Sequence, residues 1–125
     1  MVLLKVIHLA DLHLGRSILE QSLIEDQKYI LDEIIKIIVE KEVEVVLICG
    51  DVYDKSVPSI EAVYLFNNFL TELSRLKKKV FIISGNHDSK DRLSFGNELF
   101  KSSDIYIEGV FNCELKKSYN SGWIW

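Results

Sequence analysis

Three short apolar runs in this chain each end abruptly in a polar cluster, and amphipathic stretches lie between them. Leu3 to Leu9 is largely apolar and breaks at Asp11-Leu12-His13-Leu14-Gly15-Arg16, the pattern of a strand followed by a loop. From about Leu23 to Lys41, the positions Ile24, Leu31, Ile34, Ile35 and Ile38 recur at helical spacing. Glu25, Asp26, Asp32, Glu33 and Lys36 fall between them, which predicts a long amphipathic helix. Val43 to Cys49 is a second apolar run, rich in β-branched residues, that passes straight into Gly50-Asp51-Val52-Tyr53-Asp54. Pro58 and Ser59 open a second helical stretch, with Glu61 in its first turn and Ile60, Val63, Phe66, Leu70 and Leu73 along one face. The third run, Val80 to Ser84, meets Gly85-Asn86-His87-Asp88-Ser89. A shorter helix is expected over Lys90 to Phe100 and a fourth strand over Ile105 to Val110.

The order β-α-β-α-β-α, with connections long enough for right-handed parallel crossovers, predicts an α/β layered fold with a mostly parallel sheet and flanking helices. The strands read as buried on both faces. Ligands in such folds bind beyond the carboxyl ends of the strands, and all three polar clusters fall there. Topology alone therefore predicts that the clusters converge.

Composition narrows the picture. At 125 residues and 48% hydrophobic content the chain can build one core but hardly two independent domains. A net charge of -4 removes any global electrostatic reason to bind nucleic acid, so a DNA contact must be local or supplied by a partner. The basic cluster Arg75, Lys77, Lys78 and Lys79 reads as cations complementing a helix C-terminus. Cys49 and Cys113 lack the spacing of metal knots or redox motifs and read as reduced thiols, Cys49 as a buried strand residue. Lys5 interrupts the N-terminal apolar run and no run reaches membrane-spanning length, so a cytoplasmic protein without a membrane anchor is expected.

Asp11 and His13 lie two apart just past a strand, and if the extended geometry persists their side chains project to one side and can hold one ion. Gly50 lets the chain turn as it leaves its strand and sets Asp51 at the tip. Each pattern alone is common in ordinary loops. Gly85-Asn86-His87-Asp88 is more specific, because it sets an amide, an imidazole and a carboxylate in sequence where a turn requires no histidine. The combination, at three strand ends of one sheet, carries the functional reading. His8, inside the first strand and pointing away from the loops by register, reads as a packing histidine.

Asp11-Leu12-His13, Gly50-Asp51-Val52-Tyr53-Asp54 and Gly85-Asn86-His87-Asp88 resemble the first three motifs of the calcineurin-like metallophosphoesterases. The flanking residues Leu14-Gly15, Pro58-Ser59, Ser89 and Arg92-Leu93 make the resemblance closest to the SbcD family of nuclease subunits, over about residues 3 to 116. Leu12 stands where that family often has tryptophan. The resemblance implies that Asp11, His13 and Asp51 hold one metal and that Asp51 bridges to a second, held also by Asn86. It implies that His87 is no ligand but protonates the leaving oxygen or stabilises charge on phosphorus, with Asp54 orienting it. Hard oxygen donors with imidazole suit two divalent ions, Mn²⁺ foremost, or Fe or Zn²⁺, about 3.5 to 4 Å apart.

By the same resemblance the function is that of an SbcCD-type exonuclease and endonuclease. Its substrate is DNA in repair, recombination and replication, its partner an SbcC-type coiled-coil ATPase, and its full-length form a homodimer. Two other readings stay open: a phosphoesterase acting on a non-DNA substrate, and a non-catalytic interaction domain. The family completes its metal site with three later histidines, whereas His8, His13 and His87 are the only histidines here. Residues 1–117 accordingly read as the N-terminal half of a phosphoesterase domain, and Ser118 to Trp125 as an atypical tail of the kind that a premature stop, a frame change or a natural short form would leave.

Overall fold

The computed structural model describes residues 3–85 and 101–108, together with the strand backbones at 116–118 and 122–124. The chain runs through β1 (Val6–Ala10), a small hairpin of β2 (Ser17–Ile18) and β3 (Gln21–Ser22), α1 (Ile24–Glu40), β4 (Val45–Cys49) and α2 (Ile60–Arg75). It continues through β5 (Lys79–Ile83), β6 (Ile105–Glu108), β7 (Lys116–Ser118) and β8 (Gly122–Ile124). Strands β1, β4, β5 and β6 form one wholly parallel sheet in that order. The expected helix over Lys90 to Phe100 lies outside the described residues.

Register aligns apolar residues in straight rows, Ile7–Val46–Val80–Ile105 and Leu9–Ile48–Ile82–Ile107. These rows lie under the helices. Leu31 and Ile38 of α1 and Ala62, Phe66, Phe69, Leu70 and Leu73 of α2 complete the core, each buried from water. A fully buried Leu, Ile or Phe contributes about 1.5–3 kcal/mol, so this single layer of contacts is what holds the sheet against its helices.

The expectation of strands buried on both faces is corrected. Each step from β1 to β4 to β5 moves the same way across the sheet, and right-handed crossovers then put α1 and α2 on one face, where they pack on each other. The alternate rows, His8–Leu47–Phe81–Tyr106 and Ala10–Cys49–Ile83–Glu108, face away from the helices and are half-buried or exposed. His8 is accordingly exposed and not a packing residue, and Cys49 is half-buried, with burial raising its thiol pKa. Phe81 stacks on Tyr106 with ring centroids 5.2 Å apart on this face.

Helix α2 begins where Ser59 caps it: the hydroxyl oxygen accepts from the Ala62 backbone N–H at 3.2 Å. Ser59→Ala is expected to lower stability by about 1 kcal/mol, read as a shift in the urea midpoint with an unchanged slope. Helix α1 has no such side-chain cap, and Glu25 and Asp26 in its first turn complement its dipole instead. Beyond residue 115, β7 and β8 pair antiparallel where the sequence showed no strand pattern.

Candidate metal centre

The ladder between β1 and β4 does not stop where the strands stop. The Asp11 N–H donates to the Gly50 carbonyl at 3.3 Å, His13 to Asp51 at 2.9 Å, Leu14 to Val52 at 2.9 Å, and Asp54 back to Leu14 at 3.1 Å. Leu14 and Val52, both buried, anchor the two loops in the core. The loops after β1 and β4 are thus zipped together, and whatever they carry is held on rigid backbone.

Within this zipper Asp11, His13 and Asp51 adopt positive φ values of 52°, 46° and 40°. The extended geometry supposed from the Asp-x-His spacing therefore does not persist. Left-handed backbone at a residue with a side chain costs on the order of 1–3 kcal/mol and is found where the surrounding structure enforces it. Here the twist, and not a strand pleat, brings the side chains together: one ligand atom from each of Asp11, His13 and Asp51 lies within 4.8 Å of the others.

Asp51 is the one buried charged residue among those described, only 8% exposed. The Nε2 of His13 lies 3.9 Å from Asp51 Oδ2, and its Nδ1 lies 3.4 Å from Asp54 Oδ1. The imidazole thus stands between two carboxylates, with Asp54 on the side away from Asp51. A carboxylate beside one ring nitrogen is the usual means of orienting a histidine whose other nitrogen meets a metal. The structure therefore sets Asp54 beside His13. Its expected partner His87, with Asn86 and Asp88, lies outside the described residues.

The third loop reaches the same place through Gly85. A Cβ built there would stand 2.2 Å from Asp51 Oδ1 and 2.3 Å from the Asp51 backbone nitrogen, so the chain of β5 passes the carboxylate at a distance only glycine permits. The Gly50 N–H donates to the Ile83 carbonyl at 2.8 Å and ties the ends of β4 and β5 together. Sequence reasoning had Gly85 only as a letter of a motif. It missed Gln27 of α1 altogether, whose amide reaches across to the loop carrying His13.

Two carboxylates and an imidazole converging on one point, one carboxylate withdrawn from water, are a donor set suited to a divalent transition metal. Residues 4–124 match the family described as calcineurin-like phosphoesterase, and the chain belongs to that family. A particular relative, the SbcD component of the nuclease SbcCD from Staphylococcus saprophyticus, is 41% identical over 110 residues, which are 87% of this chain and 29% of that protein. The chain thus spans less than a third of the curated relative it matches. Among the described residues no helix is long and apolar enough to cross a membrane.

Proposed function

We propose that this chain supplies the first ligands of a two-metal phosphodiesterase centre in an SbcD-type DNA nuclease. The observation that carries the reading is the convergence of Asp11, His13 and Asp51 at the carboxyl ends of two parallel strands in a phosphoesterase of this family. Likeness to a nuclease component supports DNA as the substrate and an SbcC-type ATPase as a partner; a second copy of the chain and a cytoplasmic setting complete the reading.

In this reading Asp11, His13 and Asp51 hold one ion, and Asp51 with Asn86 the other. When bound, divalent ions, Mn²⁺ by choice of donors, supply charge stabilisation at the phosphoryl oxygens. The protein's own residues do the rest. His87 gives a proton to the leaving oxygen, Asp54 keeps the His13 imidazole in place, and the zipped loops fix Asp11, His13 and Asp51 before substrate arrives. A non-DNA phosphodiester is the second reading, favoured by the net charge of -4, which offers a DNA backbone no general attraction.

The test is Mn²⁺ titration of this chain and of a chimaera extended with the remaining sequence of the staphylococcal relative, each assayed with bis(p-nitrophenyl) phosphate and with linear duplex DNA. Mn²⁺ is expected to raise the Tm of both, by about 2.7 kcal/mol of stability at a hundred times Kd, and the chimaera to degrade DNA. Hydrolysis of the small ester without DNA cleavage sinks the nuclease assignment. A Tm indifferent to Mn²⁺ sinks the metal centre.

A further inference from the structure

We propose that Gln27, a residue of α1 outside every motif named above, is a positioning residue that fixes His13 for metal binding. The inference rests on the metal-centre reading and adds to it a part that none of the three loops contains. The Gln27 Oε1 accepts from the Gly15 backbone N–H at 2.9 Å, and its Nε2 donates to the His13 carbonyl at 2.8 Å, with the Leu12 carbonyl 3.5 Å away. One planar amide therefore grips the backbone on both sides of Leu14, at the two left-handed residues His13 (φ 46°) and Gly15 (φ 86°).

The grip closes a ring. The Gln27 backbone N–H donates to the Leu23 carbonyl at 2.9 Å, and the Leu23 N–H donates to the Arg16 carbonyl at 3.0 Å. The first turn of α1 and the loop after β1 are thus held at two points, Arg16 and the His13–Gly15 pair. The His13 carbonyl also accepts from the Arg16 N–H at 3.2 Å, so its direction is fixed by two donors. Carbonyl direction and φ at His13 together decide where the imidazole leaves the backbone. The clamp therefore sets the ring between Asp51 and Asp54.

The chemistry demands glutamine. A primary amide offers a donor and an acceptor from one rigid head, which is what a facing N–H and C=O require. Glutamate has the same length but, ionised, only accepts, so it keeps the Gly15 bond and sets a negative oxygen against the His13 carbonyl. Asparagine has the right head on a stem one methylene too short. Gln27 is half-buried, so water does not simply take over the lost bonds.

The proposal is tested on this chain with Gln27→Ala, Gln27→Glu and Gln27→Asn. Three quantities are measured: backbone amide exchange of Gly15 in the metal-free protein, the His13 ring ¹H–¹⁵N shifts, and Mn²⁺ affinity by calorimetry. Circular dichroism confirms that each variant is folded, and the isosteric Gln27→Glu serves should Gln27→Ala unfold. Gly15 exchange is expected to speed up in Gln27→Ala and Gln27→Asn but stay slow in Gln27→Glu. All three variants are expected to shift the His13 ring signals and weaken Mn²⁺ binding about 10- to 100-fold, the usual range for a group that orients a metal ligand. Unchanged Gly15 exchange in Gln27→Ala overturns the clamp. Faster exchange with Mn²⁺ affinity within about twofold of the parent leaves a merely structural contact and overturns the positioning role. Parent and Asp11→Asn chains that bind Mn²⁺ equally poorly overturn the metal centre itself, an outcome told apart from failure of the clamp by the Gly15 exchange rates.

Discussion

Asp51→Asn is expected to abolish the stabilisation by Mn²⁺ while leaving the metal-free protein at least as stable as the parent. The two effects have opposite signs if, as proposed, the buried carboxylate is a metal ligand whose charge the metal-free fold does not need. At 8% exposure the group has given up most of its hydration, and it stands in a cluster with the Asp11 carboxylate. Withdrawing a carboxylate from water and setting it beside a second one cost stability when no cation is near. The amide has the same shape, keeps a carbonyl oxygen as acceptor, and removes the charge. The ligand lost is the one proposed to touch both ions, so metal affinity is expected to fall by two orders of magnitude or more, beyond the roughly 10- to 100-fold of a supporting group. Urea melts of parent and variant, each with and without Mn²⁺, measure all four states. A variant that is destabilised by more than about 2 kcal/mol without metal yet still responds to Mn²⁺ would show Asp51 to be a structural group.

How much of this was legible in the sequence depended on whether the signal was periodic. The spacing of Ile24, Leu31, Ile34, Ile35 and Ile38 gave α1 to within a residue or so, and the runs Val43 to Cys49 and Val80 to Ser84 gave β4 and β5 to within a residue or two. The hairpin of β2 and β3 was not legible. Its turn places Leu19 and Glu20 at φ values of 49° and 65°, the left-handed pair that a two-residue hairpin demands and that Asn-Gly usually announces. One-sided burial of the sheet was hidden for a different reason. Val45-Val46-Leu47-Ile48-Cys49 is apolar throughout, so the period of two that separates Val46 and Ile48 from their neighbours shows only once the direction of the crossovers is known.

The site divides in the same way. Asp11, His13 and Asp51 could be named because polar clusters recur at three strand ends of one sheet, although each pattern alone is ordinary. Their left-handed backbone could not, since nothing in Asp-Leu-His distinguishes an extended pair from a twisted one. Gln27 was invisible because one polar residue in an amphipathic helix looks like any residue facing water, and its two hydrogen bonds cross at least twelve positions of sequence. The atoms proposed as ligands can be read from residue types. The groups that hold those atoms still cannot.

Gly85→Ala is the sharper test of that distinction, because it changes no ligand. The added Cβ would stand 2.2 Å from Asp51 Oδ1 and 2.3 Å from the Asp51 nitrogen, far inside contact distance. Rotating the carboxylate relieves only the first clash. The second is with backbone, and that backbone is tied across to β5 by the Gly50 N–H on the Ile83 carbonyl at 2.8 Å. Residue 51 must therefore move as a unit, carrying with it the His13 N–H bond to its carbonyl. Overpacking of this kind costs about 1–3 kcal/mol, and metal–ligand distances lie within about 0.2 Å of their ordinary values in a sound site, so Mn²⁺ binding is expected to be lost although every donor remains. Gly50→Ala supplies the comparison. Its Cβ would meet Gly85 Cα at 3.7 Å, an ordinary contact, so the penalty there is the left-handed backbone at φ 76° alone, about 1–2 kcal/mol. Urea midpoints of the two variants should fall by similar amounts while their Mn²⁺ affinities diverge, Gly50→Ala retaining far more than Gly85→Ala. Equal retention of metal by both would mean that the loop ends slide past one another, and that the third strand end is not packed against the ligand as the structure has it.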